Sequence, residues 1–235
     1  MLVPTGVAAA ILFWVGALAA QPAVDLELVL AVDGSGSIDR AMFDLELAGH
    51  AAAFRDPTVI ETIRAGQRGR IAVTLALWSD PTTLDVLVPW TVIADTGSGE
   101  AFAKAIDAVP RRDSSGSTAI GAALLRATAL FPAAYPAPRR VIDVVGNGYN
   151  NVGLLPEIAR DRVVDQGITI NGLVILDDVP WLGTYFAEHV IGGSGAFVQS
   201  VDDWSGFVQA IADKLKREIA DTAGGGTGAI HGPPG

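Results

Sequence analysis

The sequence LVLAVDGSGS at residues 28–37 is an apolar run that gives way to glycines, a carboxylate and two hydroxyls. The run Leu28–Val32 predicts a buried strand. Asp33, Ser35 and Ser37 then alternate with glycines, and we expect Asp33 to lie near solvent at the strand end. At the carboxyl end of a strand, such a loop can direct three hard oxygen groups toward one point, as Mg²⁺, Mn²⁺ and Ca²⁺ require. Short Ser/Gly loops are common, so this one gains meaning only if matching polar loops follow it.

Length and composition indicate a single α/β domain. The chain has 235 residues, of which 50% are hydrophobic, enough for one sizeable core. It contains no cysteine, which excludes disulfides and thiolate chemistry. Its formal net charge of -10 argues against a nucleic-acid partner, which usually requires a basic face. We interpret its small basic groups as solvated surface charge: Arg111-Arg112, Arg139-Arg140, and Lys214 with Lys216-Arg217.

The N-terminus resembles a targeting segment. Val7–Ala20 is continuously apolar but too short for a comfortable membrane span. It ends in small residues that signal peptidase could cut after Ala19 or Ala20. We therefore predict a signal peptide at residues 1–20, a periplasmic or secreted product, and no stable membrane span after cleavage. No basic residue precedes the apolar stretch, since the first is Arg40, so an uncleaved anchor or a wrongly chosen start codon is the alternative.

Apolar runs and amphipathic segments alternate along the rest of the chain. Strands are predicted at Asp25–Val32, Arg70–Trp78, Leu84–Trp90, Arg140–Val145, Ile168–Leu176 and Ala196–Val201. Helices are predicted at Arg40–Arg55, Glu100–Val109, Ala119–Phe131, Leu155–Gln166, Trp181–Val190 and Asp203–Ile219. The short connection Ser79–Thr83 favours a hairpin with an antiparallel edge strand. This order predicts a doubly wound, mostly parallel sheet, followed by a Gly- and Pro-rich tail at 221–235 that should be disordered.

Two more polar loops are predicted at the same edge of this sheet. In doubly wound sheets, ligands bind beyond the carboxyl ends of the strands. Thr118 stands at the entrance of a predicted helix, and Asn147 follows the predicted strand Arg140–Val145. Together with the loop after Val32, they form three polar loops in one region.

Ordinary structural roles are open for the same residues. Ser37 or Asp39 could cap the helix that follows, and Thr118 could cap the next one. Asn147 could belong to an ordinary turn. The sequence pattern by itself does not separate these roles from metal binding.

A resemblance to a known family rests on segments that occur in order: Val29–Ser37, Arg70–Trp78, Val88-Pro89-Trp90, Gly116–Gly121, Arg140–Asn151, Ile168–Leu173 and His189–Phe197. On these segments the chain resembles von Willebrand factor A-like domains from about Val24 to Ala220, and more narrowly a bacterial, exported subgroup of unknown function. The resemblance implies a Rossmann-like α/β fold over residues 24–220, with a doubly wound, mostly parallel sheet and one antiparallel edge strand. It also implies one cation in a metal-ion-dependent adhesion site whose ligands are Asp33, Ser35, Ser37 and Thr118.

The sequence departs from the family pattern at Asn147, where a second Asp is usual. Asn147 keeps a carbonyl oxygen that can hold a metal-bound water, but it brings no negative charge, so affinity should fall. A site that has lost its metal is the alternative. Asp143 is a poor substitute because it lies within a strand, where we expect a buried carboxylate paired to a neighbour.

The resemblance implies an exported protein-binding module, not an enzyme. Related domains leave one coordination position of the cation for a carboxylate, so the expected partner is a protein presenting Asp or Glu. The expected cofactor is Mg²⁺, or Mn²⁺ or Ca²⁺, bound weakly. Two alternatives are open: a hydrolase using the cation as Lewis acid, for which no general base stands out, and a metal-free structural or interaction domain.

Overall fold

A computed structural model of the protein describes residues 21–110, 116–131 and 135–220. The predicted signal peptide at 1–20 and the predicted tail at 221–235 lie outside these residues. The strands are β1 Glu27–Asp33, β2 Ile71–Trp78, β3 Leu84–Ile93, β4 Arg140–Gly146, β5 Ile168–Ile175 and β6 Val198–Val201. The helices are α1 Arg40–Arg55, α2 Pro57–Arg64, α3 Thr96–Asp107, α4 Ile120–Thr128, α5 Pro156–Val164, α6 Leu182–Tyr185 and α7 Phe207–Ala220.

The strands form one sheet in the order β3-β2-β1-β4-β5-β6. All neighbouring strands run parallel except β2 and β3, which are antiparallel. The predicted fold class is therefore confirmed, including the antiparallel edge strand. Among the described residues, no helix is both long enough and apolar enough to span a membrane.

Both faces of the sheet are covered by helices. On β1, Leu28 and Leu30 belong to the hydrophobic cluster shared with α1, α2, α3 and α7, whereas Val29 and Ala31 belong to the cluster shared with α4, α5 and α6. Every residue of β1 and β2 is buried. This explains their continuous apolar sequence, which is typical of parallel strands with both faces covered.

Three helical features differ from the sequence prediction. Helix α2 was not predicted, although Asp56 caps it by accepting a hydrogen bond from the Thr58 N–H at 2.8 Å and Pro57 occupies its first turn. Helix α3 begins at Thr96, because Asp95 and Ser98 form a reciprocal capping box. The predicted helix over 181–190 divides into α6 and a π-helical turn at Phe186–Val190.

A buried ionic cluster lies on the α7 side of the sheet, and it corrects the prediction that Lys214 is a solvated surface charge. The side chains of Lys214, Asp143 and Glu218 are all fully buried, and the Lys214 ammonium pairs with both carboxylates. Asn171 donates a 2.6 Å hydrogen bond to Glu218. Burial raises the pKa of Glu218 to about 7. Asp143 is the buried, paired carboxylate that its position within a strand predicted.

We expect Lys214→Met to destabilise the fold by about 3–5 kcal/mol, because it leaves buried carboxylates without their cation. Urea unfolding followed by circular dichroism measures the loss. Lys216→Met is the matched control, because Lys216 pairs with Asp213 at the surface and should contribute little. Equal unfolding midpoints for the two variants would contradict the structural role of Lys214.

The burial of His50 predicts that the stability of the fold depends on pH. This residue is fully buried on α1, its Nδ1–H donates to the Glu46 carbonyl at 2.7 Å, and burial lowers its pKa to about 4. Between pH 4 and the usual value near 6.5, the unfolded chain binds the proton that the folded chain excludes. Acidification across that window should therefore lower the free energy of unfolding of the wild type by up to about 3 kcal/mol more than that of the His50→Gln variant. Urea unfolding of both proteins at several pH values tests this, and parallel pH profiles would contradict it.

Candidate metal-ion site

The predicted site lies where the order of the strands reverses. β1 and β4 are neighbours, with Ala31 opposite Val144. From this central pair the sheet continues through β2 and β3 on one side and through β5 and β6 on the other. Asp33 is the last residue of β1, and Asn147 follows Gly146 at the end of β4. Parallel neighbours end at the same edge of the sheet, so the two loops meet at the position where ligands of such folds bind.

Asp33 is fully buried, which corrects the expectation that it lies near solvent. Its Oδ1 accepts a 2.8 Å hydrogen bond from the Ser35 N–H, whereas its Oδ2 has no hydrogen-bond partner among the described residues. Oδ2 faces β4, since a Cβ added to Gly146 would lie 3.5 Å from it. Burial raises the pKa of Asp33 to about 6, although the hydrogen bonds from Ser35 and the nearby backbone N–H of Asn147 lower it. The ionised carboxylate therefore predominates at neutral pH.

The two serines of the first loop are linked to Asn147 by side-chain hydrogen bonds. The Ser35 and Ser37 hydroxyl oxygens are 3.2 Å apart, and the Ser37 hydroxyl donates to Asn147 Oδ1 at 2.8 Å. Ser37 therefore does not cap helix α1. That role belongs to Asp39, whose carboxylate accepts from the Met42 N–H at 2.8 Å.

Thr118 joins the same edge of the sheet. Its backbone N–H donates to Asn151 Oδ1 at 2.9 Å, and the Asn151 N–H donates back to the Thr118 carbonyl at 2.9 Å. Its hydroxyl oxygen would lie 3.9 Å from a Cβ on Gly148, which places it beside the Asn147 loop. Thr118 is not a cap, because α4 starts after Ala119 without a side-chain hydrogen bond.

Asp80 is a positioning residue that the sequence reasoning missed. Its Oδ1 accepts hydrogen bonds from the Ser117 N–H at 2.8 Å and from the Ser117 hydroxyl at 2.6 Å. These bonds hold the pKa of Asp80 below its usual range. The adjacent Gly116 carbonyl accepts from the Gly36 N–H at 3.1 Å, so Asp80 fixes the segment that links Thr118 to the first loop. Its place directly beyond β2, at the ligand-binding edge, was the available signal.

Glu46 is a second residue that the sequence reasoning missed. It is fully buried on α1, and its Oε1 accepts a 3.3 Å hydrogen bond from the Asp33 N–H. Burial, reinforced by the negative charge of Asp33, raises the pKa of Glu46 well above its usual value. This shift disfavours a second negative charge next to Asp33. Its position between Phe43 and Leu47 on the apolar face of α1 was the only sequence signal.

These side chains suit a small, hard cation. One ionised carboxylate with an unpartnered oxygen, hydroxyl groups and an amide oxygen are the donors that Mg²⁺, Mn²⁺ and Ca²⁺ prefer. In the part of the chain that the structure describes, no group of three or more His, Cys, Asp or Glu residues could hold a metal ion. A cation here would therefore depend on neutral oxygens around Asp33.

Comparisons with known proteins agree with this architecture. Residues 23–223 match a family described as protein of unknown function (DUF1194). No curated protein matches the chain.

Several solved structures share the fold. A von Willebrand factor type A protein from Catenulispora acidiphila is 18% identical with a TM-score of 0.56, over 86% of this chain and 43% of that one. The pilus adhesin SpaC from Lactobacillus rhamnosus GG is 15% identical with a TM-score of 0.59, over 85% and 31%. Proximal thread matrix protein 1 from the mussel byssus, with a zinc-occupied MIDAS motif, is 16% identical with a TM-score of 0.52, over 87% and 49%.

The chain thus spans less than half the length of each of these structures. At these identities the likeness establishes the fold, which is von Willebrand factor A-like, as the resemblance of the sequence implied.

Proposed function

Because this chain belongs to a family of unknown function, DUF1194, we propose from its own residues that it is an exported module that binds a protein partner through a divalent cation. The residues that would hold the cation are Asp33, Ser35, Ser37, Thr118 and Asn147. When bound, a cation of this kind supplies a positive charge to which an acidic side chain of the partner can bind. Export depends on the predicted signal peptide at residues 1–20.

The unpartnered Oδ2 of Asp33 is the observation that carries this proposal. A buried charge is unfavourable unless it is paired or coordinates a metal, and no described residue forms a hydrogen bond with this oxygen. The hydroxyls of Ser35 and Ser37 lie on the same loop, and Ser37 is exposed. A cation at this place would meet the buried carboxylate on one side and solvent, or a partner, on the other.

The charge of the site favours an acidic ligand. Asn147 is neutral and burial disfavours the charged form of Glu46, so Asp33 would offset only part of the charge of a dication. A carboxylate from a partner would supply the negative charge that the usual second Asp provides in the family pattern. The mussel structure with a zinc-occupied MIDAS motif gives precedent for a metal on this fold.

Hydrolysis is the less favoured alternative. It needs a general base within reach of the cation, and the titratable side chain in contact with Asp33 is Glu46, which is fully buried and engaged with the Asp33 N–H. His50 is also buried, and its Nδ1–H is engaged with a backbone carbonyl. The described residues around Asp33 therefore offer oxygens for binding and place no second candidate base beside them.

Asp33→Asn should abolish the stabilisation that Mg²⁺ gives to the fold. The amide can still accept the Ser35 N–H bond but has no charge for the cation. Mg²⁺ that binds only the folded state should therefore raise the melting temperature of the wild type but not that of the variant. Thermal melting with Mg²⁺ and with EDTA measures both shifts. Asp39→Asn is the matched control, because it removes a neighbouring exposed acid and should retain the shift. Identical Mg²⁺ shifts for the wild type and Asp33→Asn would refute the site.

Asn147→Asp should tighten Mg²⁺ binding by about tenfold, because a second carboxylate beside the cation raises the charge of the ligand set. Isothermal titration calorimetry compares the variant with the wild type. Asn150→Asp adds the same charge elsewhere in the loop, where the Asn150 side chain accepts from the Gly121 N–H, and should change affinity less. Unchanged or weaker binding in Asn147→Asp would remove residue 147 from the site.

A further inference from the structure

Tyr149, Trp181 and Tyr185 form a cluster of aromatic rings, here called the aromatic platform. The ring centroids of Tyr149 and Trp181 are 5.4 Å apart, and those of Trp181 and Tyr185 are 6.0 Å apart. Tyr149 and Tyr185 complete the triangle at 6.4 Å. These spacings are those of attractive aromatic pairs, so the rings support one another as one surface.

Two of the three rings of the aromatic platform are exposed, and Tyr185 is half-buried beneath them. Trp181 is 53% and Tyr149 48% accessible to solvent, although their rings are among the largest apolar groups of the protein. Scattered exposed apolar residues need no explanation, but a grouped set marks an interaction site. Val152 and Leu155, which follow Tyr149 in the same connection between β4 and α5, are exposed as well.

The aromatic platform is attached directly to the candidate metal site. Tyr149 stands two residues after Asn147, which limits the separation of their Cα atoms to about 7 Å. The Tyr185 hydroxyl accepts a 3.3 Å hydrogen bond from the Asn150 N–H. The next residue, Phe186, points inward, where its ring would lie 3.4 Å from a Cβ on Gly146. The same segments therefore shape the wall of the metal site and the platform outside it.

Negative charges near the platform restrict what can bind there. His189 lies with its ring centroid 5.0 Å from that of Tyr185, and it is 3.8 Å from carboxylate oxygens of both Glu157 and Glu188. These acids repel a second acidic residue on a ligand. An uncharged aromatic or large aliphatic side chain meets no such repulsion and gains from contact with the rings.

We infer that the aromatic platform binds an aromatic or large aliphatic side chain one or two residues away from the acidic residue that reaches the cation, on the same segment of a partner protein. This inference rests on the proposed function, because it presupposes the acidic contact at the metal. The partner is thereby defined as a protein with a short exposed segment that combines one Asp or Glu with a neighbouring apolar side chain.

Synthetic Gly/Ser peptides with one Asp test this inference. In separate peptides, Phe, Leu, Glu or Gly is placed at one of four positions: one or two residues before the Asp, or one or two residues after it. Binding of each peptide is measured by fluorescence polarisation in Mn²⁺ and in EDTA. For the wild type, Phe or Leu at one of these positions should tighten Mn²⁺-dependent binding about fivefold to tenfold over Gly, given the size of aromatic contacts. Glu should give no such gain.

Trp181→Ala and Tyr149→Ala should each remove the preference for Phe or Leu while keeping Mn²⁺-dependent binding of the Gly peptide. Two separate variants guard against a folding defect in either, and thermal melting checks both. Val208→Ala is the matched control, because Val208 is an exposed apolar residue on α7 and should leave the preference intact.

The outcomes separate this inference from the proposed function. Mn²⁺-dependent binding of every Asp peptide without preference for Phe or Leu would overturn the inference alone, as would a preference that survives both variants. Binding of Phe peptides that is independent of Asp and Mn²⁺ would show two unrelated surfaces and also overturn it. No Mn²⁺-dependent binding of any Asp peptide would overturn the proposed function and this inference together.

Discussion

The pairing of β1 with β4 at the centre of the sheet is the constraint on which the rest of the structure depends. β1 is enclosed by β2 and β4 at its sides and by helices on both faces, so every residue of β1 up to Asp33 is buried. Because parallel neighbours end at one edge, Ser37 and Asn147 meet although they are 110 residues apart in the sequence. A ligand at this edge would consequently meet a buried carboxylate with hydroxyl groups around it.

Two neighbouring strands each bury a carboxylate, and the contrast between them is informative. Asp143 on β4 faces α7 and receives the ammonium of Lys214. Asp33 on β1 has one oxygen satisfied by the loop backbone and the other without a hydrogen-bond partner among the described residues. A charge in a protein interior is retained only with a partner. The chain supplies that partner for Asp143, and we propose that a cation supplies it for Asp33.

Besides the bonds among the candidate ligands, the loops around Asp33 are held by bonds that leave the ligands' side-chain oxygens out. Asp80 accepts hydrogen bonds from Ser117, and Asn151 forms hydrogen bonds with both the N–H and the carbonyl of Thr118. Such supporting bonds limit the movement of the loops without using the hydroxyls of Ser35, Ser37 and Thr118. Glu46, whose pKa is raised by burial, closes the inner side of the site. The arrangement is preorganised, which lowers the entropic cost of binding.

The sequence by itself determined the strands, their alternation with helices and the antiparallel hairpin, because apolar runs and turn residues are local signals. It also placed Asp33, Ser37 and Asn147 in loops at one edge. Only the tertiary structure decided that Lys214 is buried with Asp143. Opposite charges from distant segments meet through packing, which no local pattern records. The aromatic platform was likewise invisible, since Tyr149 lies in the loop after β4 while Trp181 and Tyr185 flank and end α6, and the pairing of β4 with β5 brings these segments together.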